Sequence, residues 1–185
     1  MNHPFLVTSV CGALAFFGCK ESHPAETPSA KEAHILDMKR ATDHHSFAKP
    51  AEAVTTHLSW DAEVDFDTRQ IHATATYNLK VADDAERVLL DCRGLDIHSV
   101  QVDGQDVEFE LGAEQPFIGQ PLSIPVHPTS NKVAVAYSTS DNADAFLWVE
   151  GEHPFLFTQS QAILARTWIP CQDSPGIRFT YDAKV

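Results

Sequence analysis

The sequence predicts an all-β domain, a saddle-like or sandwich arrangement of antiparallel and mixed sheets, and three observations carry that prediction. Two long stretches alternate apolar and polar residues with period two. An Asp-Gly dipeptide suited to a tight turn stands between two shorter runs of the same kind. After Pro50, no apolar stripe of helical period extends beyond about two turns.

Taken in order, the chain divides into a leader, a tether and a body. Phe5 to Phe17 is a run of apolar and small residues with the length of a signal-peptide core, too short to cross a bilayer as a helix. Residues 1–19 therefore predict export. The run ends Gly18-Cys19 before polar Lys20-Glu21-Ser22, which resembles a bacterial lipobox with Cys19 as the lipidated residue. Phe16 and Phe17 depart from the usual residues there, so lipidation and plain cleavage both stay open. Lipidation would hold the protein to a membrane through acyl chains, at about 0.8 kcal/mol per buried methylene. The expected location is the bacterial periplasm, free or membrane-anchored. Residues 20–42 are rich in Ala, Ser, Pro, Glu and Lys, the composition of a flexible tether.

The body, residues 43–185, is read as strands. Leu58, Trp60, Ala62, Val64 and Phe66 alternate with Ser59, Asp61, Glu63 and Asp65, so one face is apolar and the other charged. After the polar turn Asp67 to Gln70, the residues Ile71, Ala73, Ala75, Tyr77, Leu79 and Val81 repeat the pattern, and the two runs form a long antiparallel hairpin. Ser99 to Val102 and Val107 to Leu111 flank Asp103-Gly104, which accepts the positive φ of a tight hairpin. Shorter strands are predicted at Arg87 to Asp91, Leu122 to Val126, Lys132 to Ser138, Phe146 to Val149, Phe155 to Thr158 and Ile177 to Val185.

Charge narrows the function. With 13 Lys+Arg against 26 Asp+Glu the formal charge is -13, and no basic cluster interrupts it, so nucleic acid is not an expected partner. Of the four cysteines, Cys92 and Cys171 lie in the body. One pair is no disulfide framework, and buried reduced thiols are the simpler reading. His44-His45 beside Asp43 has metal-ligand types, but adjacent residues of an extended chain point to opposite sides. Asp83-Asp84 and Asp141 to Asp144 read as solvated turns, without the alternating oxygen ligands of a calcium loop.

The most informative stretch is Phe155-Leu-Phe-Thr-Gln-Ser-Gln-Ala-Ile-Leu-Ala-Arg166-Thr-Trp-Ile-Pro170-Cys171-Gln-Asp173-Ser-Pro175. It resembles the N-terminal domain signature of the aminopeptidase N (M1) family, in which Gln-x-Gln/Glu precedes Ala-Arg and Pro-Cys-x-Asp-x-Pro. The Gln-Asp-Ser-Pro ending, with the upstream Asp43-x-His45-Ser46-Phe47-Ala48 and Thr56-His57-Leu58, is similar to the leukotriene A-4 hydrolase branch. The resemblance implies a multidomain zinc metallopeptidase whose β-domain lines one wall of the active-site cleft and whose substrate is a peptide with a free amino terminus. Within that reading Gln161 accepts a hydrogen bond from the substrate's α-ammonium, with Gln159 and Ala162 as neighbouring cleft positions. Taken without the motif, both glutamines are ordinary loop residues that satisfy backbone groups. Arg166, Asp173, Pro170 and Pro175 are expected to fix the turn, Arg166 and Asp173 as an ion pair.

Zinc chemistry of this type needs two histidines at i and i+4 with a glutamate between them. The ten histidines of this sequence form no His-Glu-x-x-His, and the Gly-x-Met-Glu-Asn stretch of the family is absent. The catalytic domain and the last strands of the β-domain are thus expected beyond Val185, and the 185 residues alone are expected to bind no zinc and hydrolyse nothing. The alternatives are a lipoprotein β-sandwich that binds peptides or proteins through the same loop, and a purely structural envelope protein.

Overall fold

A computed structural model describes residues 43–141 and 143–185. The leader 1–19 with Cys19, and the tether 20–42, lie outside the described residues.

Alternation builds the main sheet. Strand β1 (Ala53–Asp65) turns at Asp67 to Arg69 into β2 (Gln70–Val81), an antiparallel hairpin in continuous register from Glu63 opposite His72 to Ala53 opposite Val81 except for a bulge at Thr56. The turn closes because the Asp65 carboxylate accepts the N–H of Asp67 (2.8 Å) and of Thr68 (3.0 Å). Strand β3 (Arg87–Cys92) leaves this sheet, and β4 (Leu95–Val102) returns to it. Strand β5 (Gln105–Asp106) then pairs back on β4 across the two-residue loop Asp103-Gly104, whose φ angles of 49° and 82° are the positive values that dipeptide accepts.

The expected strand Val107 to Leu111 is not continuous. Val107 N–H still donates to Val100 O, but the chain then crosses over. Only β6 (Glu110–Leu111) is extended, and it pairs with β7 (Gln120–Pro125) in a second sheet. Val107 and Phe109 pack on the core during the crossing, which is why an alternating pattern persists through a break in the ladder. Strand β8 (Lys132–Thr139) lies between β2 and β4, β9 (Phe146–Val149) and β10 (Phe155–Thr158) form a separate hairpin, and β11 (Thr180–Lys184) runs parallel to β1. The last expected strand is shorter than predicted, starting at Thr180 rather than Ile177.

The sheets are therefore β11-β1-β2-β8-β4-β5, β3-β7-β6 and β10-β9, and no α-helix occurs among the described residues. Leu58, Trp60, Ile71, Tyr77, Val100, Val133, Val135 and Tyr137 of the large sheet join Val88, Leu90, Leu122 and Ile124 of the three-stranded sheet in one core. Each large side chain withdrawn from water there contributes about 1.5–3 kcal/mol. The polar residues of β1 and β2 face the other way and line an open depression of about 970 Å³ with His98, Asp182 and Lys184.

The loop between β6 and β7 is held by reciprocal bonds between Gln115 and Gly119 (2.7 and 2.9 Å). Gly119 has φ +83°, and a Cβ there would sit 2.4 Å from Cys92 O. Gly119→Ala is expected to destabilise the domain by about 2–4 kcal/mol, from left-handed backbone strain and overpacking together. A urea midpoint within experimental error of wild type would refute this.

Candidate functional site

The signature follows the β9-β10 hairpin, and alternation decides what that hairpin presents. Phe146 and Trp148 point inward, and Trp148 meets Phe66 and Phe146 edge-on at centroid distances of 5.5 and 5.7 Å. Leu147, Phe155 and Phe157 project outward, 59%, 53% and 51% exposed, so one face of the ribbon is apolar and uncovered among the described residues. Phe66, expected on the core face, lies at its margin, 43% exposed, because β1 has already entered its turn.

Beyond β10 the chain enters a turn that starts at Gln159. Gln159 N–H donates to Ala145 O (2.8 Å), and its side-chain Oε1 accepts the N–H of Gln161 (3.0 Å). Ser160 O accepts Leu164 N–H (2.9 Å), while Ser160 Oγ receives the indole N–H of Trp168 (3.1 Å). Gln161 and Ala162, joined by a cis peptide bond, are both exposed. The Gln161 amide makes no side-chain hydrogen bond among the described residues. Three successive polar residues thus divide their roles: Gln159 and Ser160 hold the turn, and Gln161 faces outward. The backbone-satisfying reading holds for Gln159 Oε1 and does not describe Gln161.

The rest of the signature is a clamp beneath this turn. A short 3-10 segment, Ala165–Thr167, carries Arg166, which is fully buried. Its Nε donates to Asp173 Oδ2 (3.0 Å), Nη2 to Asp173 O (2.9 Å) and Nη1 to Ile118 O (2.9 Å), so the expected ion pair is present with two carbonyls added. Gln172 is buried too; its Oε1 accepts Thr55 N–H (2.9 Å) and its Nε2 donates to Ala53 O (2.8 Å). That side-chain amide completes the edge of β1 where β11, which starts opposite His57, no longer covers it. Tyr77 hydroxyl donates to Pro170 O.

Asp91 is the residue the sequence reading missed. Fully buried at the end of β3, it accepts Ser46 Oγ–H (2.6 Å), Phe47 N–H (2.7 Å) and Asp173 N–H (2.9 Å), and its Oδ2 lies 3.8 Å from Arg166 Nη2. Burial pushes its carboxyl above the ordinary value, while Ser46, Phe47, Arg166 and Asp173 pull it down. Three donors and a guanidinium make a socket for a carboxylate. Its main chain also exchanges hydrogen bonds with Cys171 (2.8 and 3.1 Å). The available signal was a lone acid inside the apolar run Val88-Leu89-Leu90-Asp91-Cys92.

The other candidates stay apart from the turn. His45 N–H and Nδ1 both approach Asp43 Oδ1 (2.9 and 3.5 Å), an exposed local contact. Asp144 pairs with Arg93. Cys92 and Cys171 are free and buried. Among the described residues no group of three or more His, Cys, Asp or Glu is placed to hold a metal ion, so these residues do not fit the family's zinc. The open depression on the large sheet includes none of residues 159–175.

Comparison with known proteins places the chain among relatives. The chain is 35% identical over 154 residues to leucine aminopeptidase 2 of Candida albicans, covering 82% of this chain and 24% of that protein. It is 36% identical over 155 residues to leukotriene A-4 hydrolase of Xenopus laevis, covering 77% of this chain and 26% of that one. The fold superposes on native leukotriene A4 hydrolase of Saccharomyces cerevisiae with a TM-score of 0.71 at 23% identity, over 78% of this chain and 25% of the other. An M1 zinc metallopeptidase of Deinococcus radiodurans gives a TM-score of 0.57 at 18% identity, over 71% of this chain and 32% of that one. The chain thus spans about a quarter of the length of the curated relatives it matches. Because the model of the peptidase M1 N-terminal domain matches residues 54–185, a span that includes the turn at Gln159 and the Arg166 clamp, the chain belongs to that family.

Proposed function

We propose that this domain forms the substrate-cleft wall of a zinc aminopeptidase and that Gln161 receives the α-ammonium group of the bound peptide, with Gln159 and Ala162 beside it. The observation that carries the reading is the exposed Gln161 on a turn whose neighbouring polar side chains, Gln159 and Ser160, are engaged in hydrogen bonds. An amide oxygen accepts from an ammonium group without the desolvation cost of a carboxylate. The uncovered apolar face of Leu147, Phe155 and Phe157 supports a second protein surface lying alongside. The same face would serve a peptide- or protein-binding lipoprotein acting by itself, the second reading. Phe5 to Phe17 and Cys19 support export and a lipid anchor to a membrane.

The test places residues 43–185, which include Ser46 and Phe47 of the Asp91 socket, in front of the remainder of the Candida albicans leucine aminopeptidase 2, in place of its own matching segment. Loss of a hydrogen bond to a charged group costs about 1.5–3 kcal/mol, so Gln161→Ala is expected to raise KM for a leucine anilide by about 10- to 100-fold with little change in kcat. An active chimera in which Gln161→Ala leaves KM unchanged would remove the assigned role.

A further inference from the structure

We infer that the Trp168 indole and the Ser160 hydroxyl act as positioning residues for Gln161, an inference that rests on the amine-binding reading above. Ser160 immediately precedes Gln161, and its Oγ accepts from Trp168 Nε1 at 3.1 Å. Trp168 is itself fixed on three sides. Its ring meets Trp60 edge-on at 5.3 Å and Phe146 at 6.3 Å, and its carbonyl accepts the Tyr137 hydroxyl at 2.8 Å. The same hydroxyl accepts Trp60 Nε1–H at 2.8 Å.

A relay therefore runs from the core of the large sheet, through Trp60, Tyr137 and Trp168, to the residue beside Gln161. Trp60 and Tyr137 are 7% and 1% exposed, so the far end of the relay is rigid. Its near end holds Ser160, while Gln159 Oε1 holds the N–H of Gln161 from the other side. A loop glutamine has rotamer freedom that a ligand must freeze, and fixing its backbone beforehand reduces that cost. The arrangement leaves Gln161 as the single side chain of the Gln159-Ser160-Gln161 run directed away from the turn.

Two measurements test this. In the full 185-residue chain, Ser160→Ala and Trp168→Phe, which keeps an aromatic ring and removes the donor, are expected to speed hydrogen exchange of the Gln161 and Leu164 amides about tenfold. Exchange of the Val135 and Tyr77 amides should stay unchanged. In the chimeric aminopeptidase, both variants are expected to raise KM for a leucine anilide about three- to tenfold with kcat within about twofold, and Ser160→Thr should retain the wild-type KM. Combined with Gln161→Ala, either variant should add no further rise, because both act through the group already removed. If Gln161→Ala raises KM while Ser160→Ala and Trp168→Phe do not, the positioning role is overturned and the amine reading stands. A fully additive double variant also overturns it. If Gln161→Ala itself is silent, both fall together.

Discussion

Arg166→Met is expected to destabilise the domain by about 3–5 kcal/mol, because it leaves two carboxylates behind without their cation. Arg166 is 0% exposed and reaches Asp173 at 3.0 Å and Asp91 at 3.8 Å. Methionine fills much of the volume, so the loss reports charge and hydrogen bonds rather than a cavity. The carbonyls of Ile118 and Asp173 lose their donors as well. Urea unfolding measures the effect. Adding Asp91→Asn to Arg166→Met should recover part of it, since one of the two uncompensated charges is then gone. A loss below about 1 kcal/mol would show that water reaches the site and solvates the acids.

Alkali should open the core by a different route. Cys92, Cys171, Tyr77 and Tyr137 are all buried, and burial raises the pKa of every one: Cys92 is pushed up to about 12, with the Asp91 charge adding to the effect. Each folded-state value lies above its unfolded value of 9.0 for the thiols or 10.0 for the phenols. The stabilisation is therefore complete below pH 9 and is lost as pH rises from there through the folded-state values. For Cys92 alone, three pH units correspond to roughly 4 kcal/mol as an upper bound. Circular dichroism against pH should show cooperative unfolding beginning above about pH 9, earlier than surface titration would produce. At pH 8 the Cys92 thiolate should be about a thousandfold scarcer than in an unfolded chain, so a disulfide reagent should label Cys92 and Cys171 only after denaturation. Rapid labelling of Cys92 in folded protein would contradict the assignment.

Period-two alternation made the long hairpin of β1 and β2 readable, and β9 and β10 match their predicted bounds, because local burial on one face is written directly into neighbouring residues. The Asp103-Gly104 turn was legible for its φ requirement alone. Alternation could not reveal that Val107 to Leu111 changes sheets, since a residue crossing between two layers buries its apolar side just as a paired one does. Leu95 to Ile97 went unread because His98 forms a bulge, shifting the register between Ile97 and Ser99. At the site, the exposure of Gln161 and the Arg166 to Asp173 pair lie within one short stretch of chain. The socket of Asp91 does not: its partners stand 45, 44 and 82 residues away.

That separation has a consequence for synthesis. A ribosome releases Asp91 long before Arg166 and Asp173, so during elongation the acid has no cation to accompany it into the interior and stays hydrated. β3 and β7 can zip together early, yet the interior cannot seal until the distal segment arrives and docks on Asp91, which Ser46 and Phe47 hold from the other end of the chain. The contact order of this one carboxylate makes closure a late event, and a nascent polypeptide stalled short of residue 173 would display its unsealed layers to chaperones.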